Sequence, residues 1–376
     1  MIARPELTGV SRVVIKIGSA LLAGTIPCRG SGGASDPFAA FAAQIAGLRA
    51  RGLSVALVSS GAIALGFPSL GLGQRPKDLA GLQASAAAGQ SKLMWRWAES
   101  FYAHGLEVAQ ILLTHDDLRD RRRYLNARQA FMRLLECGVV PVVNENDTVA
   151  VDEIKLGDND TLAAQVCGLC DAQLIVLLTG APGLYTADPT LDPSAVRVPI
   201  VRVLDEHVRK LAGAAAALGT GGMVTKLEAA AQAQTHGAAT VIAPGHLPDV
   251  LARVLDGDDV GTLICAPVDR ESARKRWIGT ALRPKGTVFV DEGAERALKK
   301  NASLLFAGVR EVEGTFVPGD PIQIARALDK AVFARGLTRL SSQDARAVAG
   351  KKSAQAHALV NALPDELVHR DDLVLL

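Results

Sequence analysis

Two clusters of carboxylates and amides, Asn144-Glu145-Asn146-Asp147 and Gly157-Asp158-Asn159-Asp160, lie within one short stretch of the chain. The first follows a β-branched run, Val139–Val143, and the second opens a helix-like stretch. Amide side chains both donate and accept hydrogen bonds, whereas carboxylates only accept. Such a mixture suits a pocket that grips a small zwitterion. Asn and Asp are also ordinary turn residues, so the clusters alone leave both readings open.

Their company is cationic and rich in glycine. Lys16-Ile17-Gly18-Ser19 ends the first apolar run, placing a point charge, free N–H groups and a hydroxyl where an anion could rest. Ser59-Ser60-Gly61 and Thr179-Gly180 end two later runs in the same way. The fullest element is Gly219-Thr220-Gly221-Gly222-Met223-Val224-Thr225-Lys226, leading into Leu227-Glu228-Ala229-Ala230. Its glycines can turn N–H groups inward as a nest, and Lys226 stands at a helix start, where the dipole also favours anions. Thr225, not Gly, precedes the lysine, so this is not a Walker A loop, and no G-x-G-x-x-G occurs. His369-Arg370-Asp371 mimics a protein-kinase triplet but lacks the downstream Asn.

These residues need a scaffold that brings strand ends together. Strands are expected at Val13–Ile17, Val55–Ser59, Val108–Leu113, Val139–Val143, Leu174–Leu178 and Thr240–Ala243. Helical patterns at Phe38–Arg51, Ala80–His104, Tyr124–Cys137, Thr161–Cys170 and Lys226–His236 separate most of them. Strands this uniformly apolar are covered on both faces, which predicts an α/β three-layer αβα sandwich with a mainly parallel sheet. Ligands should gather at the carboxyl ends of its strands. Segments 24–35, 66–77 and 213–222 are long glycine-rich connections of the kind that serve as binding loops.

The pattern changes after Trp277. Short strands at Thr287–Val290, Val309–Val312, Pro321–Ile324 and Val332–Leu340, with helices at Ala294–Lys299 and Ser342–Ala349, predict a small, mostly β module. The expected division is 1–270 and 283–376, with 271–282 as linker.

Composition excludes several classes. The 376 residues suffice for two well-buried cores, and a formal charge of +2 gives no global pull toward nucleic acid or membrane. The apolar runs are strand-sized, and the N-terminus carries no signal-peptide pattern, so a cytoplasmic location is expected. Five scattered cysteines argue against a disulfide framework. Cys167 and Cys170 sit inside a helical pattern without a second pair and read as packing. The histidines show no metal-ligand spacing, and the basic run Arg119–Arg128 reads as a solvated or interfacial helix start.

In chain order, Val14–Ser19, Val58–Ala62, Tyr124–Arg128, Val143–Asp147, Lys155–Asp160, Gly183–Pro189 and Gly219–Lys226 together resemble the amino-acid kinase family, and within it the glutamate 5-kinase branch. The tail is similar to a PUA domain, a small mostly β barrel. The resemblance implies transfer of a phosphoryl group from ATP to the side-chain carboxylate of L-glutamate, giving L-glutamyl 5-phosphate at the start of proline biosynthesis. That acceptor is already ionised at neutral pH, so no general base is required. By family analogy Lys16 and Lys226 contact the phosphates from opposite sides, and Asp160 holds both lysines in place. Gly18, Ser19, Thr179, Gly180, Thr220, Gly221, Gly222, Met223, Val224 and Thr225 complete the nucleotide site. Glutamate falls to Ser60, Gly61, Asn144, Asp147 and Asn159, with Asp147 facing the ammonium. Mg2+ is expected on the nucleotide phosphates, without an all-protein cage. Homo-oligomerisation and feedback inhibition by proline are implied in the same way. One departure is Gly180, where the family has Asp, which removes a side-chain contact to the nucleotide.

Two other readings remain in view. A sister kinase would act on N-acetylglutamate, aspartate, carbamate or UMP, and an acidic partner at Asp147 disfavours acceptors without a free amino group. RNA binding through the tail is disfavoured, because residues 283–376 carry 14 Lys and Arg against 12 Asp and Glu, with no arginine stripe.

Overall fold

A computed structural model describes residues 4–22, 36–149, 159–213, 222–266, 284–352, 355–356, 359 and 363–376. The chain divides into two compact units, Met1–Val268 and Asp269–Leu376. The expected linker, with the basic stretch Arg270–Trp277, lies outside the described residues, as do the loop 24–35 and most of 213–222.

The first unit carries β1 (Arg12–Ile17), β2 (Ser54–Ser59), β3 (Val108–Leu113), β4 (Val140–Glu145), β5 (Leu174–Thr179), β6 (Ile200–Val201), β7 (Ala239–Pro244) and β8 (Thr262–Ile264). They form one sheet in the order β3-β4-β2-β1-β5-β7-β8-β6. Every neighbouring pair is parallel except β7 and β8. Six of these strands fall where the apolar runs predict them. The two- and three-residue strands β6 and β8 are too short to show a period.

Alternation along β1 sorts its side chains between two helix layers. Val13, Ile15 and Ile17 join Phe38, Phe41, Ile45, Trp97 and Phe101 from helices Pro37–Ala50 and Leu79–Tyr102. Val14 packs on the opposite face with Phe131, Leu162, Val166, Leu227 and Ala230, from helices Arg121–Glu136, Asn159–Cys170 and Met223–Thr235. The result is the three-layer sandwich. Lys16, two residues beyond Val14, shares its face, the one that carries the helices of Asp160 and Lys226. From β1 the chain proceeds to β2 on one side and later returns as β5 on the other. That topological switch opens a crevice at the strands' carboxyl ends.

The basic run divides in two. Arg119 and Arg123 are exposed and pair with Asp116 and Asp117 on the short helix His115–Arg119 and its flank. Arg128 departs from the solvated-face expectation. It donates to the carbonyls of Gly168 and Leu169 and pairs with Asp171 at 2.6 Å, while the Tyr124 hydroxyl donates to Gly168. Cations at a helix C-terminus satisfy its open carbonyls and its dipole, so these side chains anchor the far end of helix Asn159–Cys170. Cys167 and Cys170 are buried within that helix, and burial pushes the Cys170 thiol up to about 12. A connection was expected throughout 66–77, but Phe67–Leu70 forms a 3-10 turn.

The second unit contains β9 (Gly286–Val290), β10 (Val309–Gly314), β11 (Pro321–Arg326), β12 (Val332–Leu337) and β13 (Leu373–Leu375), in the order β10-β9-β11-β12-β13. Register shifts between Val309 and Glu311 and between Ile324 and Ala325 interrupt the ladders, as bulges do where strands bend. Val288, Val290, Leu298, Phe306, Phe316 and Ile324 fill its core. Among the described residues no helix is long and apolar enough to cross a membrane.

Candidate active site

The carboxyl ends of β1, β2, β4 and β5 enclose a cleft of about 270 Å³. Lys16, Gly18 and Ser19 line it from β1, and Ser60 and Gly61 from the turn after β2. Asn144 and Asp147 enter from β4, Thr179 and Gly180 from β5, and Asn159 and Lys226 from the opposite helix layer. Residues separated by two hundred positions therefore converge as the sequence predicts.

At one end, Asp160 bridges two lysines. Its Oδ1 lies 2.7 Å from Lys16 Nζ and its Oδ2 lies 3.0 Å from Lys226 Nζ. The three residues are only 7, 2 and 6% exposed for Lys16, Asp160 and Lys226 respectively. Thr225 adds a hydroxyl 3.3 Å from Oδ2 and donates to the Gly222 carbonyl at 2.9 Å. Burial alone would raise the Asp160 carboxyl, but both ammonium groups and their hydrogen bonds outweigh it and hold it below the usual carboxylate range. The cluster carries two positive charges and one negative, and its net charge faces an anion-sized space. A Cβ added at Gly18 would sit 3.8 Å from Lys16 Nζ and 3.9 Å from the Leu178 carbonyl, which puts the Gly18 backbone directly beside the lysine.

At the other end a chain of amides fixes the pocket wall. Asn159 Nδ2 donates to Ser60 Oγ at 2.8 Å and to Asn144 Oδ1 at 3.0 Å. Asn144 Nδ2 in turn donates to Gln90 Oε1 at 2.8 Å. Trp97 Nε1 donates to Ser59 Oγ at 2.9 Å, tying the end of β2 to helix Leu79–Tyr102. Gly61 adopts φ +112°, a left-handed conformation that favours glycine and turns the chain into helix Ala62–Gly66. Asp147 is partly buried, and that burial pushes its carboxyl up to about 6, with Arg75 opposing the shift.

Not every expected residue reaches the cleft. Met223 and Val224 begin helix Met223–Thr235 and pack on the apolar cluster beneath the sheet. Thr220 and Gly221 lie outside the described residues, together with Gly157 and Asp158. Conversely, Gln90 and Arg75 belong to no motif that sequence reading marks. Gln90 sits at the end of an Ala-rich helical run and Arg75 in a loop, and neither position has a spacing that announces chemistry.

The Amino acid kinase family pattern matches residues 11–243, which span every strand that lines the cleft. The chain belongs to that family. A PUA domain pattern matches residues 286–360. Similar curated proteins include the glutamate 5-kinase of Methylococcus capsulatus, 46% identical over 100% of both chains. The glutamate 5-kinase of Myxococcus xanthus is 50% identical over 87% of each. In this amino acid kinase the lysine–aspartate–lysine bridge and the amide wall are thus parts of one family fold.

Proposed function

We propose that the cleft transfers the γ-phosphoryl group of ATP to the side-chain carboxylate of L-glutamate, forming L-glutamyl 5-phosphate for proline biosynthesis. The observation that carries this reading is the bridge of Lys16 and Lys226 through Asp160, beside a pocket of amides and one deep carboxylate. Full-length similarity to proteins named glutamate 5-kinase supports it.

The chemistry brings one anion against a polyanion. A glutamate oxygen forms a bond to the γ-phosphorus as the bond to the bridging oxygen breaks, and ADP departs with the electron pair. The acceptor is ionised beforehand, so the task is positioning and charge stabilisation. Lys16 and Lys226 donate to phosphate oxygens, and Asp160 keeps both ammonium groups aimed at one point at no reorganisation cost. Gly18, Ser19 and the backbone at Thr179 and Gly180 offer further polar contacts, with Gly222, Thr225 and Lys226 approaching from the facing helix. ATP enters as its Mg2+ complex. Asp160 is paired with both lysines, so the ion would be held mainly by the nucleotide phosphates, whose charge it would help neutralise. Ser60, Gly61, Asn144 and Asn159 hold the amino acid, and Asp147 pairs with its ammonium group.

The same reading assigns the kinase to 1–270 and the PUA-like module to 283–376, joined by 271–282. It places the protein in the cytoplasm as a homo-oligomer inhibited by proline. The test is ADP release with L-glutamate, N-acetylglutamate, aspartate, carbamate and UMP, with hydroxylamine trapping any acyl phosphate. Glutamate should give hydroxamate at the highest kcat/KM, and activity with N-acetylglutamate but not glutamate would overturn the assignment.

A further inference from the structure

A glutamate zwitterion carries three charges, and of the residues assigned above to the amino acid only Asp147 is itself charged, answering the ammonium group. We propose that Arg75 binds the α-carboxylate, and so selects an amino acid over an acceptor lacking that group. This inference rests on the glutamate reading of the same cleft.

Among the described residues, three cationic side chains line the cleft: Lys16, Lys226 and Arg75. Both lysines are held at the phosphate end by Asp160. Arg75 stands apart from them, and among the described residues it makes no ion pair and no hydrogen bond. Its charge is nonetheless felt by Asp147, whose carboxyl it pulls down against the effect of burial. One negative and one positive group thus share the amino-acid end without forming an ion pair with each other. That arrangement complements an ammonium and a carboxylate borne on a single carbon, because each can be met by its opposite at once. A guanidinium also presents parallel N–H donors that match a carboxylate edge to edge.

Arg75 is exposed, as a group that must capture a dissolved anion needs to be, but its backbone is braced. It precedes Pro76, and a residue before proline is confined to extended conformations. Pro76 packs so tightly over the following helix that a Cβ on Gly81 would come within 2.7 Å of its own Cβ. Asp78 caps that helix by accepting from Gly81 N at 2.7 Å. The arginine is therefore presented from a fixed stem, which lowers the entropy lost on binding.

The experiment compares wild type, Arg75→Ala and Arg75→Lys by hydroxamate formation at saturating ATP, with L-glutamate and 4-aminobutyrate as acceptors. 4-Aminobutyrate keeps the ammonium and the reacting carboxylate but has no α-carboxylate; if its turnover is too slow, its competitive inhibition against glutamate is measured instead. Loss of a charged hydrogen-bonding partner should raise the KM for glutamate about 10- to 100-fold in Arg75→Ala. The kcat should stay within a few-fold, and Arg75→Lys should recover part of the loss. The constant for 4-aminobutyrate should not change. Equal losses for both acceptors, or an unchanged KM for glutamate, would overturn the assignment. A wild-type enzyme that forms no hydroxamate with glutamate would instead strike at the proposed function itself.

Discussion

The two ends of the cleft are built on opposite electrostatic plans. At the phosphate end, every charge of Lys16, Asp160 and Lys226 is buried and paired at 2.7 to 3.0 Å. At the amino-acid end, Asp147 is partly buried and makes no ion pair among the described residues, and Arg75 lines the same cleft from an exposed loop. The first end is organised before any ligand arrives, as transition-state stabilisation requires. The second carries an unmet charge that a zwitterion relieves. Chemistry is thereby invested in rigidity and recognition in complementarity.

The sharpest way to break this contrast is to remove the shared carboxylate. Asp160→Ala leaves two buried ammonium groups without their counter-charge, and breaking a buried pair costs about 3–5 kcal/mol. Chemical denaturation should show a loss of that order, accompanied by near-complete loss of kcat. A variant of wild-type stability would mean that the lysines are not held by this residue.

At the amino-acid end the expected effects fall on binding. Asp147→Asn should raise the KM for glutamate about 10- to 100-fold while kcat moves little, since a charged partner of the substrate ammonium is lost. The pH profile gives the sign. With the Asp147 carboxyl at about 6, the binding-competent carboxylate predominates above that pH and is lost below it. In wild type kcat/KM for glutamate should fall as pH drops through about 6, and the break should vanish in Asp147→Asn. Among the described residues, the other charged groups lining that cleft are Arg75, Lys16, Lys226 and Glu145. Burial that raises a carboxyl favours its neutral form. Ligand-free stability from this group is therefore present at low pH and lost as pH rises through 6. Asp147→Asn should accordingly melt higher than wild type at pH 8, with the gap narrowing below about pH 6 and closing below the ordinary carboxyl value of 3.8.

A smaller effect is expected from Gln90→Ala. It removes the acceptor that orients Asn144 but touches no charge, so kcat/KM should fall only several-fold, about 1 kcal/mol. A decline as large as that of Asp147→Asn would place Gln90 against the substrate itself.

Much of this was legible in the chain. β1 shows why: with Val13, Ile15 and Ile17 on one face and Val14 on the other, alternation alone fixes the face on which Lys16 ends the strand. Asn144, Asp147, Asn159 and Asp160 announce themselves because polar clusters interrupt apolar runs. Gln90 does not, since a single amide in an Ala-rich helix looks like a solvated position until its partner Asn144 at the end of β4 is known. Arg75 does not, since a loop arginine has no periodicity. Arg128 misled for the opposite reason: its exposed basic neighbours share its composition, but its helix turns it toward the carbonyls of Gly168 and Leu169. The antiparallel pairing of β7 with β8 was equally hidden, because strand direction is set by the connection and not by residue type.

The central measurement is the turnover of Lys226→Ala, with L-glutamate and ATP at saturation and acyl phosphate trapped as hydroxamate. Convergence of two lysines on the transferring phosphoryl group predicts a fall in kcat of about 100-fold or more, roughly 3 kcal/mol, with the KM for glutamate within a few-fold of wild type. A Lys226→Ala enzyme that folds normally and keeps most of its turnover would contradict it.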